Sequence, residues 1–219
     1  MSTTSNMLNT TDKAYTYIKK KIMNGDYKPS EKLVESQLAT DIGVSRNTIR
    51  NALVILQKEN LIEMEKNKGA KIKAFTLEEI NNYLEIRLAL EGVIGRSVAA
   101  NISDDSIEQL EQILQEMEDL ISKKKYDDYS KLNKKFHRVI YESAKNQQAV
   151  QMVLVIKTQL LRFHLRTILV PGRSDSSLKE HTEILTALKE RDQDRAEKAL
   201  KEHISHVKET INNYYQFLI

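Results

Sequence analysis

Residues 33–73 read LVESQLATDIGVSRNTIRNALVILQKENLIEMEKNKGAKIK, and this stretch decides the fold of the front of the chain. A short helix spans Glu35 to Ile42, and Gly43 stops it, because glycine takes the left-handed backbone that closes a helix. A second helix opens near Ser45, a residue type that caps first-turn N–H groups, and runs to about Glu59. Asn60 stands where that helix ends, in a left-handed position that asparagine tolerates. Leu38, Ile42, Val44, Ile49, Leu53 and Leu56 recur at spacings that make one small core. Beyond them, Leu61 to Met64 and Ala70 to Lys73 flank Lys66-Asn67-Lys68-Gly69, which predicts two short strands around a glycine-containing turn. Upstream, a helix is expected over Thr11 to Asn24, with Ile18 and Ile22 on one face and Gly25 as its stop. Tyr27-Lys28-Pro29-Ser30 is then a loop. Helix, two-helix unit and hairpin in that order make a winged helix-turn-helix, placed over residues 8–75.

Such a unit sets the start of its second helix in the DNA major groove. Ser45, Arg46, Asn47, Thr48 and Arg50 occupy that start, and all can bond to phosphates or base edges. Arg46 and Arg50 lie four apart on one face, where like charges repel unless an anion joins them. Lys66, Lys68 and Lys71, with Gly69 at the turn, give the wing a means of reaching a phosphate or the minor groove. Lys19-Lys20-Lys21 reads more simply as a solvated face. Two alternatives stand beside DNA binding: a plain packing unit, or a winged helix that binds protein.

The rest of the composition fits this reading. The chain has 219 residues, 40% apolar and 30% charged, enough to bury a core and stay in solution. It has no cysteine, which excludes disulfides and thiolate zinc fingers and suits a cytoplasmic protein. Its N-terminus lacks the apolar run of a signal peptide, and no stretch approaches a membrane span. Residues 1–75 hold 13 Lys or Arg against 8 Asp or Glu, whereas residues 76–219 hold 21 against 23. A basic front on a mildly acidic rear suits a DNA-binding head on a body with another task.

Thr76-Leu77-Glu78-Glu79 has the form of a capping box, so the domain boundary falls near Phe75. Everything behind it, residues 76–219, reads as about six helices. Ile107, Leu110, Leu114, Met117 and Ile121 keep helical spacing, as do Tyr129, Leu132, Phe136, Val139 and Ile140. Residues 148–169 are rich in aliphatics and are expected to form the most buried helix, which Pro171-Gly172 breaks. Helices over Leu178 to Lys189 and Ala196 to Phe217 complete the set. The expected fold class is mostly α: a winged helix-turn-helix followed by an all-helical bundle.

All five histidines lie behind residue 130. Asn133 and His137 are four apart and share a helix face. His181 shares a face with Leu178, Leu185 and Leu188, and His203 with Ala196, Ala199, Leu200 and Val207. Three imidazoles from three helices therefore turn inward, and imidazole suits zinc, nickel and other first-row divalent ions. Each histidine alone has an ordinary reading as a hydrogen-bonded core residue, and periodicity does not show that the three meet. His206 is expected on the polar side and His164 in packing. Arg87 has two readings: an i,i+4 pair with Glu91, or a guanidinium fork for a ligand carboxylate. Glu180 and Glu183, near His181, are the nearest thing to a general base.

The front motif resembles the GntR family of bacterial transcription regulators. The resemblance rests on Leu33, Glu35, Leu38-Ala39, Gly43-Val44-Ser45-Arg46, Ile49-Arg50, Ala52-Leu53 and Leu56, with Gly69 in the wing. Ser36 falls where some members carry a DNA-contacting arginine. Thr48, Asn51 and Asn60 depart from the proline, glutamate and glycine common there, which bears on the operator sequence rather than the fold. The rear resembles the all-helical FCD effector-binding domain of the FadR subfamily, through Ile86 to Glu91, Asn133 to His137, Glu180 to Leu188, and Ala199 to Ile204. The resemblance implies a divalent ion (zinc, nickel or manganese) held at Asn133, His137, His181 and His203, with Asn133 replacing the usual aspartate. It also implies a carboxylate effector, for which Arg87 in its second reading is the candidate contact, together with a homodimer and a near-palindromic double-stranded DNA operator whose repression the effector relieves. A metal-dependent enzyme built on the helical domain is the competing class, with no clear base to serve it.

Overall fold

The computed structural model describes the backbone of residues 2–65 and 69–218, and the side chains of all of these except 2–9 and 161–166. Among the described residues the order is α1 (Ser2–Asn24), β1 (Lys32–Leu33), α2 (Glu35–Ile42), α3 (Arg46–Lys58), β2 (Ile62–Glu65), β3 (Gly69–Ile72), α4 (Leu77–Ala99), α5 (Asp104–Ser122), α6 (Tyr126–Ser143), α7 (Gln147–Thr167), α8 (Arg173–Lys189) and α9 (Gln193–Leu218). The chain divides into two compact units, Met1–Thr76 and Leu77–Ile219.

In the front unit Gly43 adopts φ 73°, and its N–H closes α2 on Ala39 O at 3.0 Å. Ser45 caps α3 by accepting the Thr48 N–H at 3.1 Å. Asn60 takes φ 56°, the left-handed turn expected of it. Ala14, Ile18 and Ile22 of α1 pack with Leu38, Ile42, Ile49, Leu53 and Leu56, so the predicted core forms as one cluster. Two differences from the sequence reading have physical causes. Helix α1 starts at Ser2 rather than Thr11, through polar residues that carry no apolar period. A two-residue strand, β1, joins the wing to give an antiparallel sheet of order β1-β3-β2, and two residues are too few for alternation to register. The hairpin register pairs Ile62 with Ile72 and Glu65 with Gly69. The turn itself, with Lys66 and Lys68, lies outside the described residues.

The rear unit holds the six described helices α4 to α9. Phe136, Val139 and Ile140 of α6, Ile184 and Leu188 of α8, and Leu200 of α9 share one core with Ile94 and Val98 of α4. Helices α4 and α9 approach closely because α4 presents Gly95: a Cβ there would lie 2.7 Å from the carbonyl oxygen of Ala196. Ser103 caps α5, accepting the Ser106 N–H at 3.2 Å. Gly172, at φ 78°, separates α7 from α8. Helix α7 departs from the expectation that residues 148–169 form the most buried helix. Val153, Ile156 and Leu160 face inward, but Met152, Leu154 and Val155 are exposed. Aliphatic richness reports both faces at once, so composition alone did not separate core from surface. Among the described residues no helix is long and apolar enough to cross a membrane.

Candidate functional site

Two places in the chain gather chemistry. In the front unit the first turn of α3 is exposed at Arg46 and Asn47, which have no bonded partner among the described residues. Ser45 and Thr48 are coupled to each other, hydroxyl to hydroxyl at 2.8 Å, so the cap engages part of their bonding capacity. Arg50 is also exposed, yet it is not an unpartnered cation as the sequence suggested. Its Nε donates to Glu35 Oε2 of α2 at 2.8 Å. Glu35 is therefore an anion already seated beside Arg50, which offsets the repulsion expected between Arg46 and Arg50. Ser36 is exposed in the first turn of α2, and Gly69 opens β3 with φ 86°. Lys71 corrects the wing reading: it lies between Glu63 at 3.2 Å and Glu65 at 2.6 Å, turned toward its own hairpin. Lys68 lies outside the described residues. Lys19 of the basic run pairs with Glu59 at 2.9 Å.

In the rear unit His137 of α6, His181 of α8 and His203 of α9 meet. All three are buried, and one ring nitrogen of each lies within 4.8 Å of the others. His137 Nε2 and His181 Nε2 are 3.3 Å apart. Burial pushes all three well below the ordinary imidazole range, helped by Lys157 at His137, by His203 at His181 and by Arg173 at His203. The three rings are therefore neutral, each with a lone pair to offer.

Two polar atoms beside them lack a bonded partner. Asn133 Oδ1 and His137 Nδ1 are buried and make no hydrogen bond among the described residues. Such groups are costly unless something satisfies them. The opposite sides of the other two rings are held. His203 Nδ1 donates to Glu180 Oε2 at 2.7 Å, which leaves its Nε2 lone pair directed away from the carboxylate. His181 Nδ1 is 3.5 Å from Ser177 Oγ. Glu180 also receives both terminal nitrogens of Arg173, at 3.1 and 2.9 Å, and His206 Nδ1 at 3.0 Å. With those four contacts Glu180 is not a free base, and Glu183 is engaged by Arg195.

A cavity of about 80 Å³ adjoins the cluster, lined by Asn133, His137, His203, Arg87, Lys157 and Arg173 among others. Both sequence readings of Arg87 have a counterpart here. It is buried, with Nε on Glu91 Oε1 at 3.0 Å, and it also forms part of the cavity wall. Tyr141 donates to the same Glu91 oxygen at 2.7 Å and stacks on His137. Lys157 of α7 completes this wall, 3.4 Å from the Tyr141 hydroxyl and over its ring. Burial, followed by the Arg87 charge, lowers its ammonium to about 7. Sequence reasoning missed Lys157, because it stands alone in an aliphatic helix. It also missed Tyr141, one turn past His137 on the same face, a spacing that could have drawn attention to it.

The three imidazoles and Asn133 fit a divalent ion. Tetrahedral zinc at about 2.0–2.1 Å from each nitrogen places two ligand nitrogens roughly 3.4 Å apart, close to the 3.3 Å between His137 and His181. The bonds of His203 to Glu180 and of His181 to Ser177 have the form of the outer contacts that orient metal-binding imidazoles. The amide oxygen of Asn133, on the helix that carries His137, would be available as a fourth donor.

Comparison with known proteins covers both units. Residues 10–72 match the family described as bacterial regulatory proteins, gntR family, and residues 82–206 match the FCD domain. The chain is 28% identical over 193 residues to the HTH-type transcriptional regulator YdhC of Bacillus subtilis, covering 88% of this chain and 86% of that one. It is 26% identical over 202 residues to the HTH-type transcriptional repressor RspR of Escherichia coli, covering 92% and 89%. Among solved structures, E. coli McbR/YncC superposes with a TM-score of 0.73 at 18% identity, over 96% of this chain and 99% of that one, a likeness of fold.

Proposed function

Because this chain belongs to the GntR family of DNA-binding transcription regulators with a C-terminal FCD domain, and so is not an enzyme, we propose that it is a repressor released by a small carboxylate bound in its helical unit. The observation that carries the effector half is the triad of neutral imidazoles opening on a cavity walled by cations. In this reading Asn133, His137, His181 and His203 hold a divalent ion, zinc, nickel or manganese, which gives an effector carboxylate an anchoring charge. Arg87, kept in place by Glu91, adds a fixed positive charge to the wall.

On the DNA side, Arg46, Asn47 and Arg50 read base edges or phosphates, with Ser36, Ser45, Thr48, Lys68 and Gly69 as supporting contacts. Phosphate contacts make the affinity fall with salt. The working form is a homodimer on a near-palindromic operator, since a two-fold protein reads a two-fold site. What supports the dimer is an apolar outer face: Ile86 and Val93 are exposed on α4, and Met152 and Val155 on the adjoining α7. The cytoplasm is the compartment such a regulator needs. Effector release requires that ligand bind the two arrangements of the heads with different affinity.

The test of the DNA half is the Arg46→Ala/Arg50→Ala variant, titrated by fluorescence anisotropy against duplexes selected from a random library by the wild type. Two lost contacts of about 1–3 kcal/mol each lower affinity at least thirtyfold, with an unchanged helical spectrum. Unchanged affinity would remove α3 as the reading helix. For the effector half, plasma mass spectrometry of tag-free protein is expected to give about one metal per chain, lost in His137→Ala/His181→Ala. No metal after incubation with zinc, nickel and manganese would leave a pocket that binds its ligand without an ion.

A further inference from the structure

The charges around the cavity do not balance, and the imbalance specifies the ligand. Arg87 is matched by Glu91, and Arg173 by Glu180, one carboxylate to one guanidinium. Lys157 has no such partner among the described residues; its polar contact is the Tyr141 hydroxyl. Among the described residues no aspartate or glutamate lines the cavity. A second departure adds to the first. Asn133 is neutral, so the donor set Asn133, His137, His181 and His203 brings no negative charge to a divalent ion.

The count, which rests on the metal reading above, is short. Among the described residues, two units come from the ion and one from Lys157 when it is protonated, against none from the donors and none net from the two matched arginines. Lys134, exposed at the rim, adds to the same sign. A monocarboxylate would leave two buried positive charges uncompensated, and such charges are costly in a water-poor site. Burial, and after it the Arg87 charge, depress the Lys157 ammonium, so an anion bound beside it would restore its charge.

We propose that Lys157 is a specificity-determining residue for the effector, and that the effector is a small organic acid carrying two negative charges. One anionic group lies toward Asn133 and the imidazoles, and the other is taken by Lys157. The volume, about 80 Å³, restricts the acid to a few carbon atoms.

The experiment is isothermal titration of full-length protein, zinc-loaded and dialysed, with matched acids: succinate beside butyrate, and malonate beside propionate. The wild type is expected to bind each dianion at least about tenfold tighter than its monoanion, a difference typical of one charge-assisted contact. Lys157→Met collapses the preference, Lys157→Arg keeps it, and Asn133→Asp reduces it by returning one negative charge to the site. Equal preference in the wild type and in Lys157→Met would overturn the proposal, as would failure of either dianion to bind the wild type. The same titrations after chelation separate this idea from the metal reading. A Lys157-dependent preference that survives metal removal supports the proposal while the ion drops out of the account.

Discussion

Lys157 also makes a prediction about stability that requires no ligand. Its ammonium, ordinarily at 10.5, is lowered to about 7 by burial and by the Arg87 charge. Below pH 7 the group is charged in both folded and unfolded chains, and the folded state bears the full cost of holding that charge. Between pH 7 and 10.5 the folded chain gives up the proton while the unfolded chain keeps it. Stability therefore rises with pH across that window, by at most about 1.4 kcal/mol per pH unit. Over the whole window the upper bound is about 5 kcal/mol, and partial solvent contact of the side chain brings the expectation to about 1–3 kcal/mol. Lys157→Met removes the charge and keeps the stem that covers the Tyr141 ring. In urea titrations with chelator present, followed by circular dichroism, the variant is expected to be more stable than the wild type at pH 6.5. The gap narrows to a few tenths of a kcal/mol by pH 10. Removing the Lys157 charge also relieves the three imidazoles that it holds down, which favours the variant at the acid end and so adds to the gap with the same sign. A gap independent of pH, or a variant less stable at pH 6.5, would refute the assignment of Lys157 as a strained charge.

Three further outcomes follow from the packing and the cap. Ser45→Ala removes the acceptor for the Thr48 N–H and should cost about 0.5–2 kcal/mol of front-unit stability, measured by chemical denaturation; no loss would mean that solvent replaces the cap. Gly95→Ala sets a methyl against the Ala196 carbonyl, so despite a gain in helix propensity it should destabilise the rear unit by about 1–3 kcal/mol, and an unchanged melting temperature would show that α4 and α9 can separate freely. Glu180→Gln leaves a neutral acceptor for Arg173 but weakens the hold on His203 Nδ1, so chelator competition should report zinc affinity lower by about 10–100-fold. Equal affinity would free His203 from any dependence on that carboxylate.

The front unit was legible almost residue by residue, because caps and stops are local events. Gly43, Ser45 and Asn60 each do in the structure what their chemistry requires over four or five residues of chain. The inward turn of His137, His181 and His203 was also readable from helical spacing, but their convergence was not, since it depends on how three helices pack. Charge pairing was least legible. Glu35 reaches Arg50 across fifteen positions and Glu180 reaches His203 across twenty-three, separations that no periodicity encodes. Arg87 shows the limit of a two-way choice, since the Glu91 pair and the cavity wall are one arrangement.

The close approach at Gly95 bears on how the chain is made. Helix α4 spans Leu77–Ala99 and its partner α9 spans Gln193–Leu218, so roughly a hundred residues are synthesised between them. At about 5–20 residues per second a ribosome needs on the order of 5–20 s to cover that interval. The front unit has all of its core partners within its own 76 residues and can complete its fold in the meantime. The rear unit cannot, because the apolar side of its first helix waits for its last. A nascent chain stalled before residue 193 therefore presents a finished winged head attached to an open bundle. That half-made molecule carries its helix-turn-helix before it has an effector pocket, and it is the species a chaperone would meet.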